Sequence, residues 1–462
     1  MPNEKLLKEL RAALPAEAFV EGEALASRAA GWSRRDGIQA ALLVRPASTG
    51  EVATVLRLCN EHRQPVITHG GLTGLVHGAD TTPADLVLST ERMRAIESID
   101  PAQRVAVVQA GATLQAVQEA ADAQGLAFPL DLGSRGSATV GGNASTNAGG
   151  NRVVRYGMTR DMILGVEAVL ADGTVIPAMN RLIKNNAGYD LKHLFIGAEG
   201  TLGVITRLVL RLREKPARQD VAMVAVPDFA SMVGLLKHMD RALGGSLSAF
   251  EAMWPEFYAL VTTPPAKGRP PVPHGHAMYA LIECSGGGSP ADAERFASAL
   301  EQAMEQGLVA DAAIAQSQAE AAAIWALRDD VGQTMRDAPP VTFDVSLPIA
   351  LMPGYLDEVR PALAKRFPDS LLWVFGHLGD GNLHLVLKPG MPASQARPDA
   401  ESIVYSALRA VGGSVSAEHG IGFEKKAWLE VSRSPAEIAL MRSLKACLDP
   451  SGILNPDRIF SL

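Results

Sequence analysis

At 462 residues the chain is roughly three times the ~150 typical of one domain, so two or three domains and a sizeable core are expected. Hydrophobic residues make up 47% and charged residues 20%, with 43 glycines and 29 prolines spread along the chain, which excludes disordered, collagen-like and coiled-coil classes. A formal charge of −7 without a long cationic run argues against a nucleic-acid partner, which needs a basic face. Cys59, Cys284 and Cys447 lie far apart and form no CxxC pair, so neither a disulfide framework nor a cysteine zinc site is expected, and a reducing compartment is.

The N-terminal stretch MPNEKLLKELRAALPAEAF reads as an amphipathic helix and not a signal peptide, because charges break its apolar run. No 18 apolar residues run together, so no membrane-spanning helix is expected. A cytoplasmic location follows, with peripheral attachment to a membrane left open. Val52, Val55, Leu56 and Cys59 mark one helix face behind a cap at Ser48 or Thr49, and the strand Pro65 to Thr68 follows. After the glycine-rich turn from Gly70 to Gly74 come the strands DLVLST and RVAVVQAG and the helix TLQAVQEAADAQG.

The tract from Gly133 to Gly150 holds six glycines in eighteen residues and reads as a wrapping loop. GVEAVLADGTVI predicts a hairpin with a type I′ turn at Asp172-Gly173, and LFIGAEGTLGVITRLVLRL a further glycine break and strand. REKPAR, with Pro216, marks a domain boundary. Beyond it, the strands VAMVAV, MYALIE, LLWVFGH and LHLVLK interleave with helices, which predicts an α+β sandwich with a largely antiparallel sheet. Ala315 to Ala338 reads as helix, and the tail from Pro435 carries another that ends at Asp449.

Neither a GxGxxG turn opening a helix nor a GxxxxGK[ST] loop is present, so the usual dinucleotide and P-loop motifs are excluded. Three glycine-rich tracts within one domain, each bordered by strands, instead suit anion-binding nests around a diphosphate. Any one tract alone would pass for a surface turn. Farther along, GHLGDGNLH brings His377 and His384 toward one another if Gly379 to Asn382 is a turn between adjacent strands. With Glu418 of EHGIG they make two nitrogens and a carboxylate, a set that holds a catalytic divalent metal; the plainer reading of each histidine is a hydrogen-bonded residue at a strand end. His419, next to the last ligand, is placed to act as a general base.

ITHGGLTGLVHGA, PLDLGSRGSATVGGNASTNAGGNRVVRYGMTRDMILGVEAVLADGTVI and LFIGAEGTLGVITRL closely resemble the FAD-binding domain of the vanillyl-alcohol oxidase (PCMH) type of flavoproteins. Within that superfamily the chain is most similar to the D-2-hydroxyglutarate dehydrogenase and D-lactate dehydrogenase group, over nearly its whole length. The resemblance implies an α+β protein with a PCMH-type FAD domain of two α/β subdomains over 1–215. A ferredoxin-like substrate and metal domain would follow over 216–430, and a helical segment over 431–462 would return to the FAD domain. It implies FAD, with the diphosphate at Gly70, Gly71, Thr73, Gly74 and Leu75. Flavin and adenosine would lie along Gly133, Ser134, Gly136, Ser137, Gly141, Gly142, Asn143, Thr146, Asn147 and Gly150. Glu199, Gly200, Thr201, Gly203 and Ile205 would lie near the adenine, and Asn455 near the isoalloxazine. Neither His69 nor His77 sits at the usual attachment position, so the FAD is expected to be non-covalent.

The activity implied is oxidation of a D-2-hydroxy acid, D-2-hydroxyglutarate first among them, by hydride transfer to flavin N5. The group's zinc ligands match His377, His384 and Glu418, with Mn²⁺ or Fe²⁺ as further fits for that donor set. Its substrate arginine matches Arg328. Two positions depart from the group: Thr342 and Val386 stand where it typically carries a substrate-contacting lysine and asparagine. A distal carboxylate would then need Lys388, Arg336 or Lys184, and without one D-lactate or another aliphatic D-2-hydroxy acid is the substrate to expect. Within the same superfamily, an ether-lipid synthase or a glycolate-oxidase-type subunit comes second as an enzyme. A non-catalytic flavin- or metal-binding subunit is the rival of another class. No second redox-cofactor motif occurs, so an external acceptor is expected, electron-transfer flavoprotein or a quinone. Assembly as a homodimer is left open.

Overall fold

The computed structural model describes residues 3–31 and 36–461. The chain forms two compact units, one of residues 1–149, 157–215 and 418–462, the other of residues 150–156 and 216–417. The chain thus returns to the first unit at Glu418, earlier than the 430/431 boundary expected from sequence, and a short piece of the second glycine tract belongs to the second unit.

In the first unit, Ser48 caps the helix Thr49–Glu61 by accepting the Glu51 N–H, and Val52, Val55, Leu56 and Cys59 are fully buried along one face. That helix links two strands of a four-stranded sheet ordered Phe19–Val20, Leu42–Val44, Leu86–Ser89, Val66–His69, parallel except at its first pair. Leu6 and Leu10 of the amphipathic helix Glu4–Ala13 pack into the same core. A second sheet, ordered Ile96–Asp100, Val105–Gln109, Val204–Arg211, Ile163–Val169, Val175–Ala178, is antiparallel throughout. Hairpins rather than crossover helices connect its outer strand pairs.

Two local expectations also change. The glycine tract contains the helix Val140–Thr146, capped by Thr139, so it is not simply a wrapping loop. The hairpin turn is not type I′: Gly173 has φ +87° but Asp172 does not share the left-handed conformation, and Leu170 pairs with Thr174 around a three-residue loop. Asp172 Oδ1 accepts the Thr174 N–H at 2.9 Å.

The second unit is built on a seven-stranded antiparallel sheet, ordered Asp311–Ile314, Arg218–Val226, Met278–Gly286, Leu247–Met253, Leu371–His377, Asn382–Lys388, Val341–Ser346. Alternation assigns Met223, Leu281, Met253, Phe375 and Val386 to one face, where Phe257 and Tyr258 of helix Pro255–Thr262 and Leu327 of helix Gln318–Asp329 bury them. Toward one end the same face turns polar: Glu283, Glu251, His377, His384 and Asp344 succeed one another across neighbouring strands. Among the described residues, no helix is long and apolar enough to cross a membrane.

Candidate functional site

In the first unit the two glycine tracts touch. A side chain on Gly71 would overlap the carbonyl of Ser137, so only a bare α-carbon lets these strands of backbone approach. Thr68 Oγ1 and Asn143 Nδ2, on the two sides of this contact, are buried without a hydrogen-bond partner. Orphaned polar groups beside bare backbone suit the diphosphate and ring heteroatoms of FAD. Asn455 joins a third segment to the first: its Oδ1 accepts the Thr68 N–H at 2.9 Å and its Nδ2 donates to the Glu199 carbonyl at 2.6 Å.

Several residues assigned to the cofactor have structural partners of their own. Thr146 Oγ1 donates to the Gly142 carbonyl, Asn147 Oδ1 accepts the Arg160 N–H, and Ile205 is a buried strand residue opposite Ala168. Gly203 lies against the Phe195 ring, Gly150 belongs to the second unit, and Leu75 is exposed. The Glu199 carboxylate accepts backbone N–H groups of Ile421 and Gly422. Burial pushes its pKa up, against the pull of those donors and of Lys425 and Arg458.

His69 is buried, with Nε2 bonded to the Ala79 carbonyl at 2.8 Å, and burial pushes its pKa down to about 4. As pH falls, the unfolded chain therefore takes up this proton first, near the ordinary 6.5. Stability is expected to be full above that value and to fall between it and pH 4, by about 3 kcal/mol from this group. Urea midpoints across that range check it: His69→Gln, which keeps a donor toward Ala79, should flatten the slope, and an unchanged slope would count against it. His77 lies near Asp80 and Glu424.

In the second unit the turn Leu378–Asp380, closed by Gly381 in the left-handed conformation, returns the chain so that His384 pairs with Phe375. His377 and His384 consequently share a face, their ring centroids 5.3 Å apart and nearly perpendicular. Glu251, on the next strand and fully buried, bonds His377 Nδ1 at 2.7 Å and accepts from Arg328 Nε at 2.7 Å. Burial pushes the Glu251 carboxyl up, but His377 and Arg328 together outweigh it and hold the pKa below its ordinary value. Arg328 lies over the Phe375 ring, and its Nη2 is 3.4 Å from His377 Nε2.

His377, expected as a metal ligand, is bonded at Nδ1 to Glu251 and has Arg328 near Nε2, and a carboxylate on the far ring nitrogen is how a ligating imidazole is commonly oriented. Asp344 and His384 of this unit belong to a group of side chains able to hold an ion. Asp344 accepts the N–H of Ala417, the last residue of this unit, and Glu418 and His419 come next in the chain. Imidazole and carboxylate donors suit a divalent transition metal. Thr342 and Val386 pair directly across neighbouring strands, and Val386 also pairs with Trp373. Lys388 donates to the Arg336 carbonyl and to Asp337, and the Arg336 Nε is buried without a partner.

Sequence reasoning passes over Glu251, Asp344 and Glu283. Glu283 accepts Arg152 of the 150–156 segment at 2.9 and 3.2 Å, Ser248 at 2.6 Å and the Trp325 indole at 3.0 Å. Each is a lone acid in an otherwise apolar strand, SAFEAM, TFDVS and ALIECS, which is the one signal that marks a buried charge.

Residues 40–178 match a family described as FAD binding domain, and residues 215–459 one described as FAD linked oxidases, C-terminal domain. The chain is an FAD-linked oxidoreductase and belongs to the family of FAD-linked oxidases that includes the D-2-hydroxyglutarate dehydrogenases. A mitochondrial D-2-hydroxyglutarate dehydrogenase of Bos taurus is 40% identical over 461 residues, 98% of this chain and 83% of that protein. The D-2-hydroxyglutarate dehydrogenase of Xanthomonas citri pv. viticola is 40% identical over 93% of this chain and 91% of its own. That of Stutzerimonas stutzeri is 34% identical over the full length of both. Among solved structures, p-cresol methylhydroxylase with substrate bound shares the fold at a TM-score of 0.79 and 16% identity, over 99% of this chain and 97% of that one. Alkyldihydroxyacetonephosphate synthase does so at 0.76 and 19%, over 99% and 86%.

Proposed function

We propose that the chain oxidises D-2-hydroxyglutarate to the 2-oxo acid. The observation that carries this is identity of 34–40% with several D-2-hydroxyglutarate dehydrogenases, over most of the chain. When bound, FAD supplies the acceptor for the hydride leaving C2, and a divalent metal supplies the charge that lowers the pKa of the substrate hydroxyl. Gly70, Gly71, Thr73, Gly74 and the tract from Gly133 to Asn147 hold the FAD without a covalent bond. The zinc ligands of the related dehydrogenases match His377, His384 and Glu418, zinc being the first fit, which leaves His419 for proton transfer.

Arg328 binds the C1 carboxylate. Glu251 engages its Nε, and a guanidinium with five N–H donors retains capacity for a second carboxylate. Glu251 fixes the orientation of both Arg328 and His377. His419 accepts the hydroxyl proton. The electrons then pass to an external acceptor, electron-transfer flavoprotein or a quinone. Anaerobic mixing with D-2-hydroxyglutarate should bleach the flavin band; an unbleached flavin with every D-2-hydroxy acid tried would sink the reading. His419→Gln is expected to retain FAD and lose ~10² to 10⁴ in turnover. Flavin remaining on acid-precipitated protein would overturn non-covalent binding.

A second reading, a D-lactate or longer aliphatic D-2-hydroxy acid, is favoured by one observation: Val386 lies between Thr342 and Trp373 across the sheet, which brings no cation to those positions. Relative kcat/KM for D-2-hydroxyglutarate and D-lactate separates the two.

A further inference from the structure

The EHGIG segment is held by carboxylates at both ends. At its start, Asp344, fully buried, accepts the Ala417 N–H through Oδ2 at 3.1 Å while its Oδ1 accepts the Asn382 amide at 2.7 Å. At its end, Glu199 Oε1 accepts the Ile421 N–H at 2.7 Å and Oε2 the Gly422 N–H at 2.8 Å. Glu199 is itself fixed in the left-handed conformation at φ +50°, its N–H donated to the Ser145 carbonyl and its own carbonyl accepting Asn455. Gly420, at φ +90°, makes room: a Cβ there would lie 2.9 Å from Glu199 Oε1. Only Glu418, His419 and Gly420 separate the two anchors.

We infer that Glu199 is a positioning residue for Glu418 and His419, working with Asp344 at the other end of the segment, and not a cofactor ligand. Charge-assisted bonds to consecutive backbone N–H groups fix the direction of a turn more firmly than neutral ones do. With Ala417, Ile421 and Gly422 held, the backbone that carries Glu418 and His419 has little freedom, so both side chains are presented in one geometry. This rests on the metal and base roles proposed above for those two residues.

The test is Glu199→Gln in the full-length, FAD-loaded protein. The amide keeps the shape but retains a single acceptor oxygen for two N–H groups. Amide exchange over 417–422 should speed up, zinc affinity measured by chelator competition should fall about 10- to 100-fold, and FAD content per chain should stay the same. FAD loss with zinc affinity intact would make Glu199 a cofactor ligand and overturn the inference, as would unchanged amide exchange. If the wild-type protein takes up no zinc, the metal reading fails by itself, and the exchange measurement still decides the positioning role. Should Glu199→Gln fail to fold, Gly420→Ala presses on the same carboxylate from the other side and should give the same pattern.

Discussion

Replacing Glu251 by alanine is expected to destabilise the second unit by about 3–5 kcal/mol and to abolish turnover. The carboxylate is fully buried and is the shared partner of Arg328 and His377, each within 2.7 Å. Its removal leaves a guanidinium inside the sheet face without its counter-charge, and the desolvation cost of that cation is no longer offset. Glu251→Gln retains an acceptor and the volume, so it should cost less stability yet still lose activity, because the charge that orients Arg328 is gone. Urea unfolding of both variants, followed with steady-state rates, checks this. A Glu251→Ala protein as stable as the parent would show that the Arg328 cation reaches solvent or another anion. A triple change that also replaces Arg328 and His377 by apolar residues should recover much of the stability and none of the activity.

Removing the metal is expected to lower turnover on the order of 10³-fold, the several kcal/mol a Lewis acid supplies, without releasing FAD. The donors His377 and His384 belong to the second unit, whereas the FAD-binding match covers residues 40–178 of the first. His384→Ala should reproduce chelation, with its flavin spectrum retained and activity not restored by added zinc. Full activity in chelator-treated protein shown to be metal-free would refute the metal's role. His377→Ala should lose metal as His384→Ala does and lose stability as well, since it leaves the buried Glu251 without one of its partners.

Much of the fold is legible where a repeating pattern carries it. The face Val52, Val55, Leu56, Cys59 and the serine before it define one helix, and the turn chemistry between His377 and His384 predicts their hairpin correctly. The helix Val140–Thr146 is not legible, because its glycines and hydroxyl residues are poor helix formers and only tertiary packing holds them in that form. The site is legible as residue types and not as pairs. Glu251 meets Arg328 77 residues away and His377 126 residues away, and local sequence has no record of such partners. His377 therefore reads as a ligand in sequence, while the buried acid that orients its ring does not show there.

The return of the chain to its first unit bears on the order in which the protein is made. Asn455 closes on Thr68 across 387 residues, and the Val66 N–H donates to the Ile453 carbonyl. On a ribosome the first unit therefore waits, with its parallel sheet incomplete, until residues 453–455 have emerged. The second unit is almost contiguous, from 216 to 417, and is fully available before that. It is expected to fold first, with the edge at Val66 open in the meantime to misdirected pairing. Lys445 completes the closure: buried, it donates to the Thr201 and Leu454 carbonyls and pairs with Asp449, so that the helix carrying it is tied to a strand-bordering turn more than 240 residues earlier.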